Sequence, residues 1–283
     1  MSGRAWELAN VAASSAGVRL EPLTSLEDAD AIVGVMRETW GEELPRELIR
    51  ALAGSGNVPW GAFDGHELVG YVLGWAAVEP SDGLHEHSHM LAALPHRRHA
   101  GIGYALKLAQ RASCLDRGIG LVRWTFDPLV ARNAHLNIGK LGATCDRFHR
   151  DYYGEMTDAV NVGDRSDRLV VRWLLDREPG RRAVPEGDIV EVVRGTEAID
   201  APHPDRPAQF PDVTPGSVCT IQVPRDHAAI RAGDPELGAR WREVVGEAFD
   251  DCFTRGMDVV AFDADLAGGR PRYFLASREG DRS

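Results

Sequence analysis

Two periods of apolar and polar positions run along the chain. Residues 18–23, Val18-Arg19-Leu20-Glu21-Pro22-Leu23, alternate as a half-buried strand does. Ser25, with Asp28 three residues on, offers an acidic variant of a capping box, and helical spacing continues to about Trp40. A short helix is expected from Pro45 to Ala53, ending before Gly54-Ser55-Gly56. Residues 58–63 and 67–78 read as two strands of a hairpin turned at Asp64-Gly65. A strand over 85–94 leads through a glycine-bearing turn into an amphipathic helix over 101–116, followed by a strand over 119–126, a helix over 131–141 and a strand over 169–175. Residues before Gly17 fit either a short helix around Trp6 to Ala13 or a tail.

A break at Asp176-Arg177-Glu178-Pro179-Gly180-Arg181-Arg182 reads as a linker. Beyond it, 189–193 and 217–223 are strand-like, and 202–207 is loop. Residues 235–255 have helical spacing through Leu237, Trp241, Val244, Val245, Ala248, Phe249 and Cys252, and strands are expected over 257–263 and 272–275. The expected organisation is a tail or short helix over 1–17, an α/β (α+β) domain over 18–176, a linker over 177–186, a smaller α/β region over 187–278 and a tail over 279–283.

The 283 residues carry a formal charge of −11, which argues against general affinity for nucleic acid. No apolar run reaches the length needed to span a bilayer, and Met1 to Glu7 has neither a basic n-region nor an apolar h-region, so a cytoplasmic location and no membrane partner are expected. Cys114, Cys145, Cys219 and Cys252 lie far apart without C-x-x-C spacing and read as buried free thiols. Lys107 and Lys140 are the only lysines in an arginine-rich chain, a bias that fits a GC-rich bacterial genome.

The chemistry concentrates around Arg98-His99-Ala100-Gly101-Ile102-Gly103. Glycines at 101 and 103, between a strand and a helix, let backbone amides approach a bound phosphate, and the helix adds unpaired N–H groups and its positive dipole end. His87 and His89 lie two apart on the preceding strand and point to one face, where a neutral imidazole can take a proton near pH 7. His85 extends that face to three histidines, but ligands on one strand rarely converge on a metal, and no metal is expected. Asp164-Arg165-Ser166-Asp167-Arg168 reads as a solvated loop.

The strand, the R-x-x-G-x-G turn and the following Tyr104 to Arg111 resemble the acyl-CoA-binding segment of the GNAT (Gcn5-related N-acetyltransferase) superfamily. The element order over roughly 18–176 is similar to that of the GNAT core. Nearly the whole chain, through Ser88-His89-Met90-Leu91, Arg123 to Leu129, Asp167-Arg168-Leu169 and Ile221 to Asp226, resembles a bacterial group of GNAT acyltransferases with no settled substrate.

The resemblance implies a mixed sheet, flanked by helices, whose fourth strand is bulged and splays from the fifth so that pantetheine adds between them. It places backbone groups of Ala92, Ala93 and Leu94 on pantetheine, and Arg98 with the amides of His99, Ala100, Gly101, Ile102 and Gly103 on the pyrophosphate. The register of His87 and His89 is similar to that of two proton-accepting histidines of the serotonin N-acetyltransferases.

Many members carry a tyrosine that protonates the leaving thiolate; here Ile138 stands at that place, and Tyr152 and Tyr153 are the replacement candidates. Asn133 and Asn137, four apart on a helix, are candidates to face pantetheine, and Trp124 and Asp127 to meet substrate. The implied reaction is transfer from acetyl-CoA or another acyl-CoA to the primary amine of a small molecule. A pantetheinylated carrier protein as donor, or a non-catalytic acyl-CoA sensor, are the alternatives. The oligomeric state is not legible.

Overall fold

The Ser25 hydroxyl accepts the Asp28 N–H at 3.0 Å and the Asp28 carboxylate accepts the Ser25 N–H at 2.8 Å, a complete capping box. It opens α2 (Leu26–Trp40) in a computed structural model that describes residues 2–41, 43–97, 100–156, 162–193, 211, 214, 216–264 and 270–277. Two compact units are present: Met1–Trp124 with Thr157–Val162 and Leu174–Glu178, and Thr125–Met156 with Gly163–Trp173 and Pro179–Ser283. The division runs through the expected 18–176 domain, not along the 177–186 stretch.

The first unit holds α1 (Ser2–Ser15), β1 (Arg19–Pro22), α2, α3 (Arg46–Gly54), β2 (Trp60–Asp64), β3 (Glu67–Glu79), β4 (Gly83–Ala93), α4 (Ile102–Asp116) and most of β5 (Leu121–Phe126). Its strands lie in the order β1-β2-β3-β4-β5, antiparallel up to β4, with β4 and β5 parallel. The fold class is α/β, with a mixed sheet whose fourth and fifth strands pair over only two residues. The ambiguous N-terminal residues form α1, which buries Ala5, Ala9 and Ala13 at four-residue spacing. Trp6 fixes it further: Nε1 donates to Asp116 at 2.8 Å, and its ring lies 4.6 Å from that of Trp60. Buried Arg123 and half-buried Asp82 form a two-pronged ion pair at 2.6 and 2.7 Å that ties the β3–β4 hairpin to β5.

The second unit contains α5 (Ala131–Ala134) running into a π turn (His135–Lys140), β6 (Thr144–His149), β7 (Arg168–Leu174), β8 (Ile189–Val193), β9 (Val218–Gln222), α6 (His227–Gly233), α7 (Pro235–Thr254), β10 (Met257–Asp263) and β11 (Arg272–Ser277). Its strand order is β7-β6-β10-β11-β9-β8, antiparallel except for β8 and β9. β10 joins β6 at Val259↔Cys145, where both side chains are fully buried, so strands from before and after the 177–186 stretch share one sheet. α7 starts where Asp234 accepts the Leu237 N–H at 2.9 Å and Pro235 fills the first turn. It buries Trp241, Val245, Phe249 and Cys252.

Asp164 to Arg168, expected to be solvated, belong instead to a charge network that is buried at Arg242 and Asp167 and reaches the surface at Glu243 and Asp250. Arg242, 4 % exposed, donates to both Asp127 oxygens at 2.7 Å and to Asp164 at 2.5 and 3.1 Å. Arg165 pairs with Asp167 at 2.7 Å and with Glu243 at 2.6 Å, and Arg150 joins Glu243 to Asp250. The reason is mutual: each carboxylate brought out of water is met by a guanidinium fork. Among the described residues no helix is long and apolar enough to cross a membrane.

Candidate active site

β4 and β5 pair only at Glu86↔Val122 and His87↔Arg123. Past that point β4 continues to Ala93, so the backbone edge it turns toward β5 has no strand partner among the described residues. On its other edge β4 follows β3 with one interruption: Leu73 faces Met90 and Gly74 faces Ser88, which leaves His89 as an extra, unpaired residue. That is a β-bulge, placed within two residues of the last β4–β5 pair. Gly74 is required opposite it, because a Cβ there would stand 2.6 Å from the His87 carbonyl oxygen.

The bulge breaks strict alternation, yet His87 and His89 still converge. Both rings lean on Trp75, at 4.9 and 4.8 Å between centroids, and lie 5.8 Å from one another. Burial, followed by the neighbouring His89, His85 and Lys107, pushes the His87 imidazole down to about 4, and partial desolvation against Trp75 lowers His89 as well, although that residue stays exposed on one side. Both are therefore neutral near pH 7. His85 is buried, its Nδ1 bonded to the Gly83 carbonyl at 3.0 Å. Among the described residues no group of three histidine, cysteine or carboxylate side chains is gathered to hold a metal ion.

Ala92 is buried and Ala93 half-buried at the end of the open edge; the buried Leu94, just past it, donates its N–H to the Val69 carbonyl and accepts the Arg97 N–H, each at 2.9 Å. Arg98 and His99 lie outside the described residues. Ala100 is exposed, and Gly101 has φ +86°, a left-handed conformation that favours glycine, as it caps α4. The Tyr104 and Ala105 amides bond back to Gly101, so those of Ile102 and Gly103 stand ahead of the helix's own bonding.

Sequence reading missed Lys107. It is 2 % exposed, and its Nζ donates to Ser88 Oγ at 2.7 Å and Gln110 Oε1 at 3.2 Å while lying 3.8 Å from the centre of the Trp124 ring. The available signal was its place between Leu106 and Leu108 on an apolar helix, in a chain that otherwise prefers arginine. Trp124, a candidate to meet substrate, is a buried ring with this cation over its face. Glu86, on the same strand, is paired with Arg117 at 2.9 Å.

In the second unit, Asp127 accepts the Leu129 N–H at 2.8 Å and both prongs of Arg242, so its carboxylate is occupied by the protein and not left for substrate. Asn137 is buried and Asn133 half-buried; the π winding between them departs from the α-helical spacing on which their common face was expected. Ile138 is buried. Tyr152 and Tyr153 are 47 % and 46 % exposed, packed edge to face at 4.7 Å, and the Tyr153 hydroxyl lies 3.1 Å from that of Thr125.

No protein-family profile matches the chain and no curated protein is similar to it. Solved structures do show a similar chain path. The ribosomal-protein-S18-alanine N-acetyltransferase of Escherichia coli is 15% identical, matching 59% of this chain and 96% of its own, with a TM-score of 0.46. Chaetomium thermophilum Naa20, in complex with a bisubstrate analogue, is 19% identical over 58% of this chain and 95% of its own, at 0.45. Arabidopsis thaliana NAA60, in complex with acetyl-CoA, is 17% identical over 56% and 99%, at 0.45.

Proposed function

We propose that this protein is an acyl-CoA-dependent N-acyltransferase that transfers an acyl group, most simply acetyl, to the primary amine of a small molecule. The observation that carries the reading is the open edge of β4, bulged at His89 and flanked by two neutral imidazoles. An extended pantetheine arm adds to such an edge as a strand would, along Ala92 and Ala93 and up to Leu94, whose own backbone groups are already bonded to Val69 and Arg97. The amides at the start of α4, reached through the left-handed Gly101, suit its pyrophosphate.

In the reaction the ammonium form of the acceptor gives a proton toward His89 or His87, and the free amine attacks the thioester carbonyl. The carbon–nitrogen bond forms, backbone amide at the bulge polarises the carbonyl oxygen, and the carbon–sulfur bond breaks to release thiolate. Holding the two reactants together supplies much of the acceleration. A small acceptor agrees with the hollow of about 380 Å³ beside Trp75, walled by Leu48, Leu52, Asn57 and Ala76.

Calorimetric titration with acetyl-CoA and thiol release across an amine panel test the reading. Saturable binding and amine-dependent release are expected; no binding at millimolar concentration overturns a free acyl-CoA donor, and binding without release leaves a sensor. Gly101→Val should raise the donor Michaelis constant at least about 10-fold, since a β-branched residue resists the left-handed backbone and its relaxation moves the Ile102 and Gly103 amides offered to the phosphates. Gly118→Val, at φ +73° with open surroundings, imposes comparable strain without touching the donor and serves as control. Equal Michaelis constants in the two folded variants would remove the phosphate cradle.

A further inference from the structure

Ser88 and Trp124 are the first residues on either strand beyond the last β4–β5 pair, His87↔Arg123. One ammonium group reaches both: Lys107 Nζ is 2.7 Å from the Ser88 hydroxyl and 3.8 Å from the Trp124 ring centre. It therefore spans the apex at which the strands part. Ser88 also immediately precedes the bulged His89, so whatever fixes Ser88 fixes where the bulge begins.

A charge in so dry a place lowers stability unless compensated, and a methionine of similar length would fill the volume without that cost. Of the 32 lysines and arginines in the chain, only Lys107 and Lys140 are lysines. The position thus holds the one basic side chain able to shed its proton, where arginine would stay charged.

Resting on the acyl-transfer reading, we propose that Lys107 is a positioning residue for that reaction: protonated, it clasps Ser88 and Trp124 across the apex and sets the bulge at His89, and turnover falls when its proton is lost. The neutral amine keeps a hydrogen bond to Ser88 but loses its attraction to the indole face and one of its three donors. The groups bearing on it are Glu86 and His87 of β4, Cys114 and Gln110 of α4, and Arg117, which bonds both Glu86 and Cys114. Burial pushes Lys107 down to about 7, against the opposing pull of Cys114 and Glu86, so the change falls within the working range.

The test compares kcat of the wild type and Lys107→Met with one acceptor over a range of pH, so that the acceptor's own ionisation cancels in the ratio. The ratio should be at least about 10 below the lysine's midpoint and approach unity above it, while acetyl-CoA affinity changes little. Lysine-selective NMR gives the midpoint independently. Lys140→Arg removes the second of two signals, and the one remaining should titrate where the kcat ratio changes. A ratio of unity or one flat with pH, or two midpoints more than about one unit apart, overturns the proposal. If Lys107→Met does not fold, Ser88→Ala carries the same comparison by removing only the acceptor oxygen. Turnover that ignores Lys107 overturns this inference alone; a wild type that neither binds acetyl-CoA nor releases thiol overturns the acyl-transfer reading with it.

Discussion

Single His87→Ala and His89→Ala variants are expected to lower turnover by about 10- to 1,000-fold with acyl-CoA affinity nearly unchanged, the range typical of general-base catalysis partly relayed by water. Because the rings share Trp75 as a wall, the double variant should fall short of the product of the singles. The pH profile carries the sharper signature. Catalysis requires the neutral ring, and with His87 pushed down to about 4, activity should persist through mildly acidic solution and decline only as pH approaches that value. An unperturbed histidine would place the limb near 6.5. The same depression makes His87 bind fewer protons folded than unfolded below pH 6.5, so it removes stability as pH falls from there toward about 4. Full activity and an unchanged acidic limb in both single variants would make the pair structural.

The largest loss of stability is expected from Arg242→Met, about 3–5 kcal/mol in denaturant unfolding, because it strands Asp127 and Asp164 without their shared cation. Burial by itself raises the Asp164 carboxyl, but the bonds and charge of Arg242, with Arg231 and His227, outweigh it and hold the group below its ordinary 3.8. A carboxylate depressed in this way contributes stability above its unfolded value and loses it as pH falls through the folded one. The deficit of the variant should accordingly shrink in acid, where the wild type also protonates. A loss under about 1 kcal/mol at neutral pH would show that the network is not a stabilising element.

Features set by local chemistry were legible in the sequence. Ser25 with Asp28, Asp64-Gly65 and Pro235 behind Asp234 announce their structures through bonds spanning a few residues. The glycine turn and the histidine pair were legible for the same reason. What escaped depends on partners distant in the chain. Arg242 meets Asp127 across 115 positions, and no local pattern marks either as buried. β6 escaped because Thr144-Cys145-Asp146-Arg147-Phe148-His149 has too few apolar positions to set a period, and pairing with β7 and β10 makes it a strand. α1 is amphipathic through alanine, whose small side chain leaves a weak signal despite burial. Lys107 was hidden by its type, since lysine on a helix normally marks the solvent face.

The sharing of one sheet by β6 and β10 bears on how this polypeptide can be divided. A fragment ending at the linker near residue 176 would keep β6 and β7 but expose the β6 edge that β10 occupies at Val259↔Cys145. An unsatisfied edge of that kind pairs with other copies, and the same cut would leave Asp127 and Asp164 without the cation they share, Arg242. The fragment should therefore self-associate, and the last hundred or so residues contribute most of a compact unit that begins before the linker.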